Sequence, residues 1–251
     1  MNSIQVEGKD AVVTVTLDRP PLNVLDIAMM RELRECLGAL DDAKVIVLAA
    51  RGKAFCAGVD VADHTENKVE TMIKEFHGLL RALWTLPQPV ITSVGGAALG
   101  GGMELALSCD LIIASESAKF AQPEVKVGVF PPIAALLLPR LIGRQAALEC
   151  VLRGESWSAA RAQELGLVNA VVPDGQLDST VRRWAEGLAS LSVPVVQLAK
   201  KATLIGWNQE ELDGRLAQIE RLYLDELMGL EDAREGLNAF MEKRAPRWKD
   251  H

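Results

Sequence analysis

Short apolar runs alternate with amphipathic stretches along the first half of the chain. Residues 4–6 and 11–17 are rich in β-branched side chains, and Glu7-Gly8-Lys9-Asp10 between them predicts a hairpin. Asp18-Arg19-Pro20-Pro21-Leu22-Asn23 cannot extend the second strand, because two prolines fix φ and lack N–H donors. Asp26 is placed to cap a helix whose apolar face is Ile27, Met30, Leu33, Leu37 and Leu40. Residues 44–50 form an apolar run of buried-strand length, and residues 51–60 leave it through small side chains. A polar loop at 63–67 leads to helical spacing over 68–83. Pro87 and Pro89 end that helix, residues 89–94 read as a strand, and a helix opens at Gly101 and runs to about Ser108. Strands are expected at 110–114 and 119–121.

A repeated strand, strand, helix theme with glycine at the strand exits is an α/β plan. The pattern itself leaves open whether the sheets lie flat or coil. Beyond Phe130 the periodicity turns helical, over 133–141, 145–152 and 159–165, with Ser158 as a cap and Gly166 as a stop. Residues 167–172 read as a last strand. From Asp178 onward the chain is helical, including one long helix over 209–228 and another over 231–243. No fixed-period repeat is present, which excludes a solenoid.

Composition narrows the class. The 251 residues suit one large domain with or without an appendage, and a chain of this size buries a core without staples. A net charge of -7 argues against a nucleic-acid partner, since phosphate-backbone affinity depends on clustered Lys and Arg. Cys36, Cys56, Cys109 and Cys150 lack metal-type spacing and read as thiols of a reducing compartment. With only His64, His77 and His251, a histidine-built metal site is not expected. The N-terminus shows no targeting pattern and no apolar run reaches membrane-spanning length, so the expectation is a cytoplasmic protein with no membrane partner.

Candidate chemistry centres on Ala98-Leu99-Gly100-Gly101-Gly102-Met103-Glu104. Glycines at a helix start let backbone approach a ligand closely, and the free N–H groups there favour negative charge. A second glycine-bearing strand exit, Ala57-Gly58-Val59-Asp60, offers another amide. If the fold joins them, Val59 and Gly101 N–H can stabilise one oxyanion. A plain turn glycine at Gly58 and an ordinary strand–helix junction fit the same residues. Glu104 and Glu124 are the carboxylate candidates. Glu124 sits among Phe120, Ala121, Val125 and Val127, surroundings that raise a carboxyl pKa, although two solvated surface glutamates fit the spacing as well. A nucleophile elbow, a P-loop and a dinucleotide fingerprint are all absent.

Three segments together resemble the crotonase (enoyl-CoA hydratase/isomerase) superfamily. They are Lys53-Ala54-Phe55-Cys56-Ala57-Gly58-Val59-Asp60, the triple-glycine segment through Ala106, and Phe120-Ala121-Gln122-Pro123-Glu124. The resemblance runs from Val12 to about Lys249. It implies a spiral of ββα units over 1–190 and a C-terminal helical trimerisation region over 191–251, assembled as a homotrimer or homohexamer. It also implies an acyl-CoA substrate, with coenzyme A entering as part of the thioester and no separate cofactor. The implied oxyanion donors are Val59 and Gly101, with Glu104 handling water and Glu124 the proton at carbon. Pro21, Leu22, Ala57, Asp60 and Val61 match CoA-cradling segments, and Phe240 and Lys243 match a stretch that reaches the adenosine end, often of a neighbouring subunit.

Two departures from the family pattern stand out. Arg19-Pro20-Pro21-Leu22-Asn23 lacks the usual basic residue, so a phosphate contact is either lost or supplied by Arg19 or Lys53. Phe130-Pro131-Pro132 replaces a flexible glycine segment beside the acyl pocket and makes its wall stiffer and more apolar. That pattern, with Pro21-Leu22-Asn23-Val24-Leu25 and Asp63-His64-Thr65-Glu66, looks closest to the cyclic dienoyl-CoA hydratases, which add water to cyclohexa-1,5-diene-1-carboxyl-CoA in anaerobic aromatic degradation. A short-chain enoyl-CoA hydratase or isomerase, a polyketide-type dehydratase or decarboxylase, and a non-catalytic acyl-CoA-binding protein are the alternatives on the same fold.

Overall fold

After an opening hairpin, successive stretches of the chain deliver one strand to each of two sheets. The structure is a computed structural model and describes residues 3–8 and 11–250. Strands β1 (Ile4–Glu7) and β2 (Val12–Leu17) pair antiparallel, with Ile4 opposite Leu17 and Glu7 opposite Thr14. Lys9 and Asp10 of the expected turn lie outside the described residues. Helix α1 (Ile27–Gly38) is capped as anticipated, its Asp26 carboxylate accepting from the Met29 amide at 2.8 Å. Leu40, expected on its apolar face, falls past its end.

Three further units follow. They comprise β3 (Val45–Ala50), β4 (Ala54–Cys56) and α2 (Val69–Thr85), then β5 (Val90–Val94), β6 (Ala97–Leu99) and α3 (Gly101–Leu107), then β7 (Leu111–Ser115), β8 (Lys119–Ala121) and α4 (Pro132–Leu141). Next come α5 (Arg144–Arg153), β9 (Trp157–Ser158), α6 (Ala159–Glu164), β10 (Ala170–Val172) and α7 (Leu177–Ala189). The chain finishes in α8 (Val193–Ile205), α9 (Gln209–Arg221) and α10 (Glu231–Met241).

Both β1 and β2 and the first strand of each of the three later units enter a six-stranded sheet ordered β1-β2-β3-β5-β7-β10, and the second strand of each later unit enters a four-stranded sheet ordered β4-β6-β8-β9. Apart from the β1–β2 and β8–β9 pairs, the ladders are parallel. This is the expected spiral of ββα units. Both faces of the large sheet are covered, which is why its strands read as unbroken apolar runs. On β3, Val45 and Val47 pack against Leu177, Val181 and Ala185 of α7, while Ile46 and Leu48 turn into the main core.

Three strands escape the sequence pattern. β4, β6 and β9 span only two or three residues, too few for alternation to register. Their role is nevertheless central. β4 and β6 run parallel, pairing Ala54 with Ala97 and Cys56 with Ala98. At this junction α3 lies so close to β4 that a Cβ on Gly102 would overlap the Cys56 carbonyl oxygen.

The expected helix over 209–228 is broken. After Arg221 the chain makes a π-turn at Leu222–Glu226 and a tight turn at Leu227–Gly229. The extra residue of the π-turn carries Tyr223 into the main core, where it joins Leu212, Leu216 and Leu237. Helices α9 and α10 therefore share the core of the sheets, whereas α8 has no buried residue. Among the described residues no single helix is long and apolar enough to cross a membrane.

The β4–α3 contact makes a stability test available. Gly102→Ala is expected to cost about 1–3 kcal/mol, the usual penalty of overpacking, because backbone rather than a side-chain tip must yield. Gly187→Ala, at an open and exposed position within α7, is expected to gain roughly 0.5–1 kcal/mol. Urea unfolding reads both. Equal stabilities would contradict the packing described.

Candidate active site

The parallel pairing of β4 with β6 brings the two glycine-bearing strand exits side by side. A Cβ built on Gly101 would stand 2.6 Å from Val59 Cγ2 and 3.3 Å from the Val59 nitrogen, and one built on Gly58 would stand 3.8 Å from the Gly101 nitrogen. A short bridge to Leu25 fixes the first exit, with Leu25 N–H donating to Gly58 O at 2.9 Å and Asp60 N–H to Leu25 O at 2.8 Å. The bridge leaves the Val59 N–H on the other side. Gly100 donates to Ala121 O at 2.8 Å, whereas Gly101 is the first residue of α3 and has no acceptor within the helix. Both amides belong to the wall of one cavity of about 560 Å³. Two such donors converging on one oxygen form an oxyanion site, and removing one typically costs about 3–4 kcal/mol of barrier.

Glu104 rises from the first turn of α3 into the same cavity and is almost fully buried. Its Oε1 accepts from the Ala134 amide at 2.8 Å, at the start of α4. Pro132 takes the first position of that helix, where no N–H is needed, and the Ile133 and Ala134 amides behind it serve the carboxylate. Burial lifts the Glu104 carboxyl to about 7, against the pull of those two amides toward the charged form.

Glu124 stands over the glycine loop, so that a Cβ on Gly100 would overlap its Oε1. Burial pushes its carboxyl well above the ordinary range, and the Glu104 charge pushes it further. The fully buried Gln122 anchors it. With its amide nitrogen turned to the carboxylate, Gln122 donates to Oε2 at 3.1 Å and Oε1 at 3.2 Å. The two carboxyls titrate as a pair. Glu104 holds the amide donors and ionises first, and its charge then keeps the proton on Glu124. One base and one acid face the same space, which is what proton transfer at two neighbouring atoms requires.

The structure gathers Glu104, Glu124, Val59 and Gly101 in this cavity with Phe130, Pro131 and Pro132 along its wall. Of the segments matched to CoA binding, Ala57, Val61 and Phe240 reach the wall. Pro21, Leu22, Asp60 and Lys243 are not part of it. Leu22 accepts from the Ala57 amide at 3.0 Å, and Asp60 caps the next turn by accepting from Ala62 at 3.0 Å. Phe240 comes from α10 of the same chain. Arg19 is not free for a phosphate: it donates to Val24 O at 2.6 Å and pairs with Asp26 at 2.8 Å, because the double-proline loop folds it back onto the α1 cap. Lys53 is exposed ahead of β4.

Two polar cavity residues were given no part in the site by the sequence reading. Tyr223, the only tyrosine, reaches the wall through the π-turn and meets the Phe130 ring edge-on at 5.2 Å. His77 lies on the buried face of α2, among Met72, Phe76 and Leu80. A histidine in the apolar stripe of an amphipathic helix was the available signal for it.

Comparison with known proteins agrees with this geometry. A family model described as Enoyl-CoA hydratase/isomerase matches residues 7–251. The chain is 34% identical over 250 residues to the cyclohexa-1,5-dienecarbonyl-CoA hydratase of Thauera aromatica, covering 98% of this chain and 96% of that protein. It is 38% identical over 256 residues to a probable enoyl-CoA hydratase of Rhizobium meliloti, covering 98% of each. Among solved structures, an enoyl-CoA hydratase from Mycobacterium avium subsp. paratuberculosis superposes with a TM-score of 0.88 at 30% identity, over 99% of both chains.

The paired carboxyls set the expected pH behaviour. Activity rises as Glu104 ionises near pH 7 and falls when Glu124 loses its proton at higher pH. Glu124→Gln should remove the alkaline limb, and each of Glu104→Gln and Glu124→Gln should lower kcat by roughly 10²–10⁴. Stability follows the same sign. Both folded values are raised, so the native state binds more protons, and stability present at low pH is lost as pH rises through those values. Chemical denaturation across that range should show a shallower loss in Glu124→Gln than in the parent, and equal slopes would contradict the assignment.

Proposed function

The chain belongs to the enoyl-CoA hydratase/isomerase family, and from that premise we propose that it adds water to a cyclic dienoyl-CoA. It is an enzyme of the enoyl-CoA hydratase type, a hydro-lyase acting on an acyl-CoA. Two converging amides and two unlike carboxyls in one cavity carry this assignment.

The thioester oxygen sits between the Val59 and Gly101 amides, which polarise the conjugated double bond. Glu104, ionised and held by the start of α4, takes a proton from water as the water oxygen bonds to the β-carbon. The electron pair of the double bond moves onto the thioester oxygen as an enolate. Glu124 then gives its proton to the α-carbon and the carbonyl re-forms. The sum is one water added. No cofactor is called on beyond the coenzyme A of the thioester itself.

A ring as the acyl group is supported by the wall. Pro131 and Pro132 have fixed φ, and Phe130 is braced edge-on by Tyr223, so this side of the cavity is stiff and apolar. The name of the Thauera aromatica relative points the same way. The assembly is read as a homotrimer or homohexamer, supported by Val195, Leu198 and Ile205 of α8, which lie exposed in the single chain.

Hydration of cyclohexa-1,5-dienecarbonyl-CoA and of crotonyl-CoA, followed by product mass, tests the ring. The expected result is a kcat/KM at least roughly tenfold higher for the ring ester, a difference that pocket shape alone can supply, and a smaller ratio in Pro132→Gly. A preference for crotonyl-CoA would replace the ring with a chain. Light scattering on the same preparation should give a trimer or hexamer mass, and a monomer would remove that part of the proposal.

A further inference from the structure

The π-turn at Leu222–Glu226 brings to the cavity a polar group for which the hydration steps above have no task. Tyr223 is the only tyrosine of the chain, and its side chain is almost wholly buried. Its ring stands edge-on to Phe130, and both residues belong to the cavity wall. Turns of this kind interrupt a helix and are found most often at functional sites.

Packing accounts for the ring but not for the hydroxyl. A phenylalanine would brace Phe130 equally well, without taking a polar tip out of water. Among the described residues the hydroxyl makes no hydrogen bond to protein, and it keeps part of the little accessible surface left on this side chain. The catalytic cavity is where Tyr223 meets open space. The charges that act on the hydroxyl are those of Glu124 and Glu104, Glu124 the more strongly, and with burial they push its pKa up. The group therefore stays protonated and neutral, with one hydrogen to donate and lone pairs to accept. The other polar side chains of the wall are placed differently. The carboxylates acting on His64 are Asp60 and Asp63, the one acting on His77 is Glu220, and Lys126 only donates.

Water addition needs an acceptor beside the acid and the base. The attacking water turns a lone pair to the β-carbon and gives one hydrogen to Glu104. Its second hydrogen stays on the oxygen and becomes the hydrogen of the product hydroxyl. In a largely apolar cavity that hydrogen also requires a partner. Glu104 is taken up by the first hydrogen and the Ala134 amide, and Glu124 by Gln122 and the proton it delivers.

We propose that Tyr223 is a further catalytic residue, its hydroxyl oxygen accepting a hydrogen bond from the attacking water and keeping that bond to the β-hydroxyl of the product. Tyr223 exchanges no proton in the step. It fixes the orientation of the water, so that a lone pair faces the β-carbon. The inference rests on the hydratase reading of the cavity, and it holds for a ring or a chain.

Tyr223→Phe keeps the ring against Phe130 and removes only the hydroxyl. Hydration of cyclohexa-1,5-dienecarbonyl-CoA or crotonyl-CoA by the variant is expected to lose roughly 10–100-fold in kcat, with KM within about twofold of the parent's. Two competitive inhibitors separate this role from a structural one. The β-hydroxy ester that hydration yields should bind the variant roughly tenfold more weakly than the parent, whereas the saturated ester lacking the hydroxyl should bind both alike. Parent kinetics in the variant, or an equal shift of both inhibitors, would overturn the role of Tyr223 and leave the hydratase reading standing. Hydration of neither ester by the parent would overturn both. Should the variant fail to fold, the parent protein decides, because tyrosine carrying carbon-13 at Cζ labels this residue alone. Its single resonance should take different positions with the β-hydroxy ester and with the saturated ester. The same position with both would overturn the proposal.

Discussion

Everything in the site depends on one backbone contact, the approach of α3 to β4 across Gly102 and the Cys56 carbonyl. Because β4 and β6 run parallel and each is followed within two residues by glycine, the chain leaves both strands at the same edge of the small sheet. That puts the Val59 and Gly101 amides together without any side chain between them. It also starts α3 at this point, which aims Glu104 into the cavity one turn later. A side chain at Gly102 would lever α3 away and open the oxyanion site, so the reaction geometry and the packing share one constraint.

Electrostatics then divides the work between two like residues. Glu104 and Glu124 are both desolvated, and burial alone would protonate both. The Ile133 and Ala134 amides at the start of α4 break the tie in favour of a charged Glu104. The Glu104 charge then keeps Glu124 protonated. The stiff Phe130-Pro131-Pro132 segment thus has two consequences: it shapes the acyl wall, and it sets the helix start that selects the base. A substitution at Pro132 changes substrate fit and carboxylate charge together.

Features encoded locally were legible in the sequence. The triple glycine with Glu104 in the next turn, the Asp26 and Ser158 caps, and the apolar setting of Glu124 all depend on residues a few positions apart. The partnership of Val59 with Gly101 was open on spacing and became specific only through the family resemblance, since it depends on strands too short to show a period. Arg19 misled because the double-proline loop turns it back onto Asp26, a fold no periodicity encodes. The contact of His77 with Glu220 was out of reach, as 143 residues separate the two. Tyr223 was hidden for a different reason, a π-turn inside what reads as one continuous helix.

The central claim is that two backbone amides, from Val59 and Gly101, polarise the thioester carbonyl before chemistry begins. Isotope-edited vibrational spectroscopy of a bound unsaturated acyl-CoA, with carbon-13 at the thioester carbonyl, reads that polarisation directly. The account expects the carbonyl stretch to move to lower frequency on binding, and Gly101→Ala, whose methyl would crowd Val59, to abolish most of the displacement. A bound carbonyl at its solution frequency would contradict it.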